Sequence, residues 1–224
     1  MSDCHLLINE IGAKSMGNAS LTVIVGPMGS GKTAELLRIA RVASMHMNVL
    51  CVGHLNDLQR RHVESGAGEQ STVTTLETHA GDKLPGVLVH CLAELEGLPA
   101  FKKADLIVID EGQFYKDLMF YIEWIRHIHK KSIAVGLLDS DSNGKCFQNV
   151  HMTDLVIHAT RFYKLAGTCS FCTNLSTYTI CLIDKPDQIL AGGLDIYAPV
   201  CSLHAQLPLS ALPARRQVGS ILLP

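Results

Sequence analysis

A glycine-rich loop near the N-terminus constrains the fold of this chain more than any other feature. The loop follows a Gly-x-x-x-x-Gly-Lys-Thr pattern and consists of Gly26, Pro27, Met28, Gly29, Ser30, Gly31, Lys32 and Thr33. An apolar, β-branched run at 21–25 precedes it and predicts a buried parallel strand. Leucines and alanines at helical spacing over 34–44 predict a helix directly after it. This strand–loop–helix order predicts a site for the phosphates of a nucleoside triphosphate.

The residues of the loop have the chemistry that such a site needs. Its glycines allow backbone N–H groups to turn toward phosphate oxygens, and Lys32 adds a positive charge for the β- and γ-phosphates. The hydroxyl of Thr33 is a suitable ligand for Mg²⁺. A chance glycine-rich turn is the alternative, and the predicted strand and helix on either side of the loop argue against it.

Composition disfavours several other classes of protein. The chain has 224 residues, 47% of them apolar, which is enough for one α/β domain with a smaller second domain. Its net charge is −2 and its basic residues are scattered, so we expect neither a nucleic-acid partner nor an anionic membrane surface. No apolar run approaches the ~18–20 residues that span a bilayer, and the N-terminus does not resemble a secretory leader. We therefore expect a soluble protein of the cytoplasm, where its eight cysteines stay reduced.

Short apolar runs recur along the chain at helix-length intervals, at 48–52, 87–90, 106–109, 133–138 and 155–157. Strands separated by helices predict a doubly wound, parallel α/β sheet. Residues 1–19 show no hydrophobic period and are predicted to form a loose arm before a core domain at 20–164. Short β-like runs between cysteines predict a second, small domain at 165–205. The tail at 206–224 contains prolines and is predicted to be disordered.

Two acidic residues follow the predicted strand at 106–109. Asp110 and Glu111 then lie at the carboxyl end of a buried parallel strand, where a doubly wound sheet binds its ligands. Asp110 suits Mg²⁺, directly or through water, and Glu111 can accept a proton from an attacking hydroxyl group. The alternative is that the pair only caps the next helix. Two chemistries remain open here, because the same glutamate would activate water in an ATPase and a substrate hydroxyl in a kinase.

Four potential metal ligands lie near the C-terminus in two pairs. Cys169-x-x-Cys172 and Cys201-x-x-His204 have the spacing of zinc knuckles, each of which closes a turn around one tetrahedral ion. All four positions hold thiol or imidazole groups and none is left for water, so we expect structural rather than catalytic Zn²⁺. Reduced cysteines without a metal are the alternative.

The order and spacing of four motifs resemble those of the cytosolic-type (type II) thymidine kinases. The motifs are the loop at 26–33, Asp110-Glu111-Gly112-Gln113-Phe114, Cys169-x-x-Cys172, and the segment from Gly192-Gly193 through Tyr197 to Cys201-x-x-His204. The resemblance spans about residues 20–205. It implies a P-loop NTPase-like core and a small C-terminal zinc-binding domain that carries a lasso loop over 188–197. It also implies a homotetramer.

The resemblance further implies a role for individual residues. Glu111 would be the general base for the 5′-hydroxyl of thymidine. ATP with Mg²⁺ would be the phosphoryl donor, held by the loop together with Asp57, Asp110 and Gln113. The residues implied for the nucleoside are Phe114, Phe147, Tyr178, Thr179, Gln188, Ile189, Leu190, Ala191, Gly192 and Tyr197. Without the resemblance, Gly192-Gly193 would be an ordinary turn and Tyr197 a core residue of the small domain.

A lasso held in one shape by zinc suits a nucleobase with few polar atoms, because fixed main-chain groups recognise such a base at low cost. The chain departs from the family pattern at two places near this site. Ser142 stands where the family has an aromatic residue beneath the base, so a stacking partner is missing. After the second strand, Arg60 comes one position late relative to Asp57, which leaves the roles of Arg60 and Arg61 open.

The sequence as a whole favours an ATP- and Mg²⁺-dependent kinase that makes thymidine monophosphate for nucleoside salvage. One rival is a kinase of the same fold that prefers another deoxynucleoside, such as deoxyuridine. A second rival is a P-loop ATPase that couples hydrolysis to movement, which would need a sensor arginine and a partner surface that the sequence does not identify. A third is a non-catalytic nucleotide-binding protein. The intact set Lys32, Thr33, Asp110 and Glu111 argues against it.

Overall fold

The computed structural model describes residues 19–55, 73–77, 81, 83–183 and 193–216. Within these residues the chain forms one seven-stranded sheet with helices on both faces, and two further two-stranded sheets. The predicted arm before residue 19 and the end of the tail after residue 216 lie outside the described residues.

The large sheet contains seven strands, which are β1 (Leu21–Gly26), β2 (Val49–His54), β3 (Val73–Glu77), β4 (Lys83–Val89), β5 (Leu106–Ile109), β6 (Ser132–Leu138) and β7 (Arg161–Lys164). Their order across the sheet is β3-β4-β2-β5-β6-β1-β7. Six strands are parallel, and β3 at the edge is antiparallel to β4. The predicted parallel sheet is confirmed. Because parallel strands share one carboxyl edge, the segments after β1 and β5 lie on the same side, with β6 between them.

The described residues form five α-helices, which are α1 (Lys32–Ser44), α2 (Pro99–Lys103), α3 (Leu118–His127), α4 (Met152–His158) and α5 (Ser202–Ala205). The first four accompany the large sheet, and α5 packs near the C-terminus on two short strands outside it. Successive side chains of a strand point to opposite faces, and both faces are covered here. On one face Val108 of β5 packs with Leu36 of α1. On the other face Ile109 packs in a cluster that includes Ile122 of α3. Burial on both faces explains why β1 and β5 consist almost entirely of apolar residues.

The strand predicted at 155–157 is wrong, because these residues belong to helix α4. Leu155 is fully buried in the core, whereas Val156 is 50% and Ile157 70% exposed. A buried parallel strand would need both of its faces covered, but this segment buries one side chain and exposes the next two. The strand of this region is β7, which pairs with β1 at the edge of the sheet. Its sequence begins and ends with Arg161 and Lys164, so it carries little apolar signal.

The described residues between 167 and 205, which are 167–183 and 193–205, form a smaller unit around the predicted metal ligands. In it, β8 (Gly167–Thr168) pairs with β9 (Leu175–Ser176), and β10 (Tyr178–Cys181) pairs with β11 (Tyr197–Val200), both antiparallel. Its core is small and consists of Cys169, Ala198, Val200 and Cys201 with a few partly buried neighbours. So few apolar side chains contribute little burial energy, and a bound metal would add to it. We call residues 167–205 the small unit.

The first part of the tail makes hydrogen bonds with the small unit. Residues 206–216 are described, with a 3₁₀ helix at Leu209–Ala211, and they run back along the small unit. The backbone N–H of Arg216 donates to the carbonyl of Ser170 at 2.8 Å. The guanidinium of Arg215 donates to carbonyl oxygens of the small unit as well. Charge-assisted hydrogen bonds of this kind can hold a segment in place, and composition does not reveal them.

Candidate active site and metal cluster

The loop between β1 and α1 has the backbone of a phosphate site. Gly29 and Gly31 have φ angles of 69° and 88°, in the left-handed region that favours glycine. Gly31 caps helix α1, whose first residue is Lys32, so the N-terminal N–H groups of the helix lie directly beside the loop. A helix N-terminus with a glycine-rich approach binds anions through these N–H groups and the helix dipole. The loop therefore has the geometry that the sequence motif predicts.

Two side chains connect this loop to its surroundings. Lys32 is buried, and its Nζ donates to the carbonyl of Pro27 at 2.8 Å across the loop. The hydroxyl of Thr33 donates to Oδ2 of Asp110 at 2.9 Å. Asp110 directly follows β5, so this bond joins the start of α1 to the carboxyl end of the strand. The structure thus brings the predicted loop and the predicted acidic strand end together.

Asp110 is buried in an environment that disfavours its charge. Burial, followed by the neighbouring charge of Glu111, raises the pKa of its carboxyl to about 7, against the opposing effects of the Thr33 hydroxyl, the backbone N–H of Glu111 and Lys32. A divalent cation beside the carboxyl would reverse this balance, because it favours the charged form. A buried carboxylate next to a threonine hydroxyl is a suitable donor pair for Mg²⁺.

Glu111 has a backbone conformation that is uncommon for its residue type. Its φ and ψ angles are 55° and 42°, in the left-handed region, and its N–H donates to Oδ1 of Asp110 at 2.9 Å. A non-glycine residue in this region costs on the order of 1–3 kcal/mol and occurs preferentially at functional sites. The strained backbone turns the chain away from the sheet immediately after Asp110. It is consistent with a catalytic role for Glu111 rather than with simple helix capping.

Gln113 holds the carboxylate of Glu111. Its side-chain Nε2 donates to Oε2 of Glu111, and its Oε1 accepts the N–H of Leu138 at 3.0 Å. Gln113 is 2% exposed, so both bonds are sheltered from water. The amide therefore connects the proposed base to the end of β6. The family resemblance implies that Gln113 contacts the nucleotide, and this stays a prediction; the contacts among the described residues show that its amide also holds the Glu111 carboxylate.

The aromatic residues predicted for the nucleoside lie near this edge of the sheet. Phe114 is half-buried, and its ring centroid is 5.5 Å from that of His54 at the end of β2. Phe147 is half-buried as well and packs against the large core cluster. Asn149 donates to the carbonyls of Gln113 and Tyr115 at 2.9 and 3.2 Å. Sequence analysis overlooked His54 and Asn149, although a polar residue at the end of a parallel strand, such as His54, is a signal of the same kind as Asp110.

The small unit packs directly against the phosphate loop. The N–H of Met28 donates to the hydroxyl of Thr179 at 2.9 Å, and both residues are buried. A Cβ on Gly29 would lie 3.6 Å from Cγ of Pro199, in ordinary contact. Tyr197 is buried in the small unit, and its N–H donates to the carbonyl of Gly193 at 3.0 Å. Thr179 and Tyr197 are thus placed within the small unit that borders the loop, while Tyr178 is exposed.

The other predicted site residues lie outside the described residues, and they are Asp57, Arg60, Arg61, Gln188, Ile189, Leu190, Ala191 and Gly192. Ser142 is described and half-buried, in a turn in which Oδ1 of Asp141 accepts the N–H groups of Asn143 and Lys145. The turn contains no aromatic side chain, in agreement with the departure noted in the sequence.

The four predicted metal ligands come together in one cluster. The ligand atoms of Cys169, Cys172, Cys201 and His204 all lie within 4.8 Å of one another. The Sγ atoms of Cys172 and Cys201 are 3.7 Å apart, and Nδ1 of His204 lies 3.6 and 3.2 Å from Sγ of Cys169 and Cys201. Four ligands about 2.0–2.3 Å from a tetrahedral Zn²⁺ ion have separations of roughly 3.4–3.8 Å. The donor set and its geometry therefore fit zinc.

One thiol of the cluster already favours the form that binds zinc, while the pKa of a second, Cys172, is raised. The backbone N–H of His204 is the largest of the influences that lower the pKa of the Cys201 thiol, to about 6. A thiolate is the form that binds zinc. Three cysteines and one histidine fill a tetrahedral shell and leave no position for water, so the cluster is structural in type.

The fold and the site together define a class. A glycine-rich loop at the start of a helix, joined through Thr33 to an acidic strand end, is the arrangement of P-loop proteins that bind nucleotides.

Among the residues that the structure describes, none of the helices has the length and apolar character that crossing a membrane requires.

Comparison with known proteins identifies the family. The family model for thymidine kinase matches residues 19–205, and the chain therefore belongs to the thymidine kinase family. It is 31% identical over 188 residues to the thymidine kinase of Choristoneura biennis entomopoxvirus, covering 82% of this chain and 95% of that protein. It is 31% identical over 191 residues to thymidine kinase a of Arabidopsis thaliana, covering 84% and 75%. It is 30% identical over 191 residues to the cytosolic thymidine kinase of Cricetulus griseus, covering 85% and 74%.

Identities near 30% make the chain a divergent member of the cytosolic-type thymidine kinases. The chain is accordingly an enzyme that phosphorylates a nucleoside.

Proposed function

We propose that this enzyme transfers the γ-phosphoryl group of ATP to the 5′-hydroxyl of thymidine, which gives thymidine monophosphate and ADP for nucleoside salvage. The observation that carries the proposal is the chain of contacts from the phosphate loop through Thr33 and Asp110 to Glu111. Family membership supports nucleoside phosphorylation, and these contacts support a triphosphate donor beside a general base. A cytoplasmic homotetramer is the assembly that the family resemblance favours.

In the proposed reaction, the 5′-oxygen of the nucleoside forms a bond to the γ-phosphorus while the bond from that phosphorus to the β–γ bridging oxygen breaks. The proton of the 5′-hydroxyl passes to the carboxylate of Glu111, and ADP carries away the electron pair of the broken bond. Gln113 keeps the carboxylate in one orientation during this transfer. The N–H groups of the loop and Lys32 bind the phosphates. Mg²⁺, held by Thr33 and Asp110, would neutralise phosphate charge when bound.

The nucleoside site is proposed from the family resemblance and the placement of four described residues. Phe114 and Phe147 would contact the base, and Thr179 and Tyr197 would complete the pocket from the small unit. The segment 188–192 would add main-chain groups. Zn²⁺, bound by the four-ligand cluster, would keep the small unit in shape, since its own core is small. Elemental analysis should find one zinc per chain in protein purified without chelator, and protein without zinc would refute this part.

The missing aromatic residue at Ser142 bears on substrate choice. Aromatic stacking contributes roughly 0.5–1.5 kcal/mol, or up to about tenfold in affinity, so we expect thymidine to bind with a raised KM. The same observation makes deoxyuridine the second candidate substrate. Deoxyuridine differs from thymidine by one methyl group on the base, and a looser pocket distinguishes the two less strongly. Initial rates with ATP and a panel of thymidine, deoxyuridine, deoxycytidine and purine deoxynucleosides decide between them. A purine as the best substrate would refute the proposed pocket.

Replacing Glu111 with glutamine tests the proposed base. The amide preserves the shape of the side chain but cannot accept the proton, so kcat should fall by about 10²–10⁴-fold while ATP binding is retained. Glu35→Gln is the matched control, since Glu35 lies on α1 in an ion pair with Arg38. It should leave kcat unchanged. A Glu111→Gln enzyme with turnover within a few-fold of wild type would show that another group accepts the proton.

A further inference from the structure

The C-terminal segment 206–216 lies beyond the part of the chain that the family model matches, which ends at residue 205. It nevertheless makes specific contacts with the small unit. The Nη1 atom of Arg215 donates to the carbonyl of Leu194 at 2.6 Å, and its Nη2 atom donates to the carbonyl of Tyr197 at 3.1 Å. One guanidinium therefore joins two carbonyl oxygens that lie three residues apart in the same turn.

The turn that Arg215 contacts lies directly before β11, and Tyr197 is the first residue of that strand. The N–H of Tyr197 donates to the carbonyl of Gly193 at 3.0 Å, and the N–H of Gly193 donates to Oδ1 of Asp195 at 3.0 Å. The carbonyl of Ile196 accepts the N–H of Leu182 at 2.8 Å. These hydrogen bonds hold the start of the turn, and Arg215 donates to the carbonyl oxygens of Leu194 and Tyr197 in the same turn. The planar fork of an arginine suits two such neighbouring acceptors, whereas a lysine offers a single charged centre.

The position of Arg215 is itself fixed by its neighbour. The backbone N–H of Arg216 donates to the carbonyl of Ser170 at 2.8 Å, and its side-chain Nη1 donates to the carbonyl of Cys172 at 3.1 Å. Pro208 and Pro213 restrict the backbone of the segment that leads to these residues. The tail is therefore attached to the first knuckle of the metal cluster at one residue and to the turn before β11 at the previous one.

We propose that Arg215 is a positioning residue for nucleoside binding, because its guanidinium holds the turn at 193–197 and so fixes where Tyr197 begins β11. The proposal rests on the proposed function, in which Tyr197 contacts the nucleoside. A side chain that is already held in its binding position loses less conformational freedom when the ligand binds. Removal of the fork therefore weakens nucleoside binding, whereas the phosphate loop and Glu111 keep their own contacts and the chemical step is preserved.

Three variants of the full-length, zinc-loaded enzyme test the proposal. Arg215→Met removes the fork and keeps an apolar side chain of similar length, and Arg215→Lys restores one charged donor. Arg216→Met is the matched control, since it removes the same charge one residue away, together with the side-chain bond to Cys172, but keeps the backbone bond to Ser170 that holds this part of the tail in place. The measurements are KM for nucleoside and for ATP, kcat, and amide hydrogen exchange over 193–197.

For Arg215→Met we expect the nucleoside KM to rise by about 5- to 20-fold, which corresponds to the loss of two charge-assisted hydrogen bonds, one exposed and one partly buried. The ATP KM and kcat should stay within about twofold of wild type, as for an interaction that contributes to binding alone. Exchange at Ile196 and Tyr197 should accelerate by about tenfold or more. Arg215→Lys should recover part of both losses, and Arg216→Met should show neither.

Two results would overturn the proposal. Unchanged exchange over 193–197 in Arg215→Met would mean that the guanidinium does not hold the turn. Accelerated exchange with an unchanged nucleoside KM would mean that the turn does not position a nucleoside contact. Failure of the proposed function would look different, because wild-type enzyme would then not phosphorylate the nucleosides of the panel, while the exchange measurement would still report on the turn.

Discussion

Replacing Thr179 with valine measures how strongly the small unit holds the phosphate loop. The N–H of Met28 donates to the Thr179 hydroxyl at 2.9 Å, and the two residues are 8% and 5% exposed. Valine has nearly the same shape as threonine but offers no acceptor, so the packing is retained and a buried N–H loses its partner. An unsatisfied buried donor costs about 1–3 kcal/mol. We therefore expect the free energy of unfolding to fall by about 1–3 kcal/mol.

The functional effect follows from the position of Met28 inside the phosphate loop. Loss of the bond lets the loop relax, so the KM for ATP should rise severalfold in Thr179→Val. Thr179→Ser is the control, because serine keeps the hydroxyl and loses one methyl group, worth ~0.8 kcal/mol of burial. Urea unfolding monitored by circular dichroism gives the stabilities, and initial rates at saturating nucleoside give the ATP KM. A valine variant as stable as the serine variant, with an unchanged ATP KM, would refute the reasoning.

Two further predictions concern the loop and the acidic strand end. Gly26→Ala should destabilise the protein by about 1–3 kcal/mol and raise the ATP KM. The reason is that a Cβ at this position would lie 2.6 Å from Oγ of Ser30 and 2.7 Å from the carbonyl oxygen of Leu165. Gly97→Ala is the control and should show neither effect, since a Cβ there meets nothing within 4 Å. For Asp110, burial is the largest of the effects that raise the pKa from 3.8 to about 7. Between these two values the native state keeps a proton that the unfolded state releases. Metal-free protein therefore loses stability as the pH rises from about 4 to about 7. Asp110→Asn removes that loss, and its stability relative to wild type should therefore be greater at pH 8 than at about pH 5. A difference that does not change with pH would contradict the buried-carboxyl argument.

The meeting of the phosphate loop with Asp110 could be predicted from sequence because it follows from local patterns and one general rule. Strand β1, the loop and helix α1 are contiguous, and β5 runs directly into Asp110-Glu111. Parallel strands place their carboxyl ends on one edge, so the two segments had to lie on the same side of the sheet. The metal ligands were predictable for a similar reason, since each knuckle is local and four ligands satisfy one ion.

Other features were not predictable because they depend on contacts between distant residues. Gln113 reaches both Glu111 and Leu138, and no local pattern distinguishes this from nucleotide binding. Helix α4 was mistaken for a strand because the apolar run around Leu155 is too short to separate the two periods. The contacts of the tail were not predictable either, because Arg215 and Arg216 donate to carbonyl oxygens of residues that are distant in the sequence.

Hydrogen bonds hold the phosphate loop from two sides. The effects of single substitutions on the KM for ATP and on the KM for the nucleoside can therefore be tested separately. Thr33 connects the loop to Asp110 in the core sheet, and Met28 connects it to Thr179 in the small unit. Arg215 instead binds the turn before Tyr197, which borders the loop through the side chain of Leu194, and among the described residues its guanidinium donates only to carbonyl oxygens of that turn. Loss of the Thr179 hydroxyl should therefore raise the ATP KM, whereas loss of the Arg215 side chain should leave the ATP KM unchanged and raise the nucleoside KM.

If the small unit is rigid, a displacement at Thr179 also displaces Tyr197. The double variant Thr179→Val with Arg215→Met should then show a coupling energy of at least about 0.5 kcal/mol in nucleoside binding. If the two ends adjust separately, the effects should add. The ordered path between them runs through β10 and β11, which pair along four residues from Tyr178–Val200 to Cys181–Tyr197. A continuous antiparallel ladder resists shear because each displacement breaks several hydrogen bonds together, and this favours the coupled outcome.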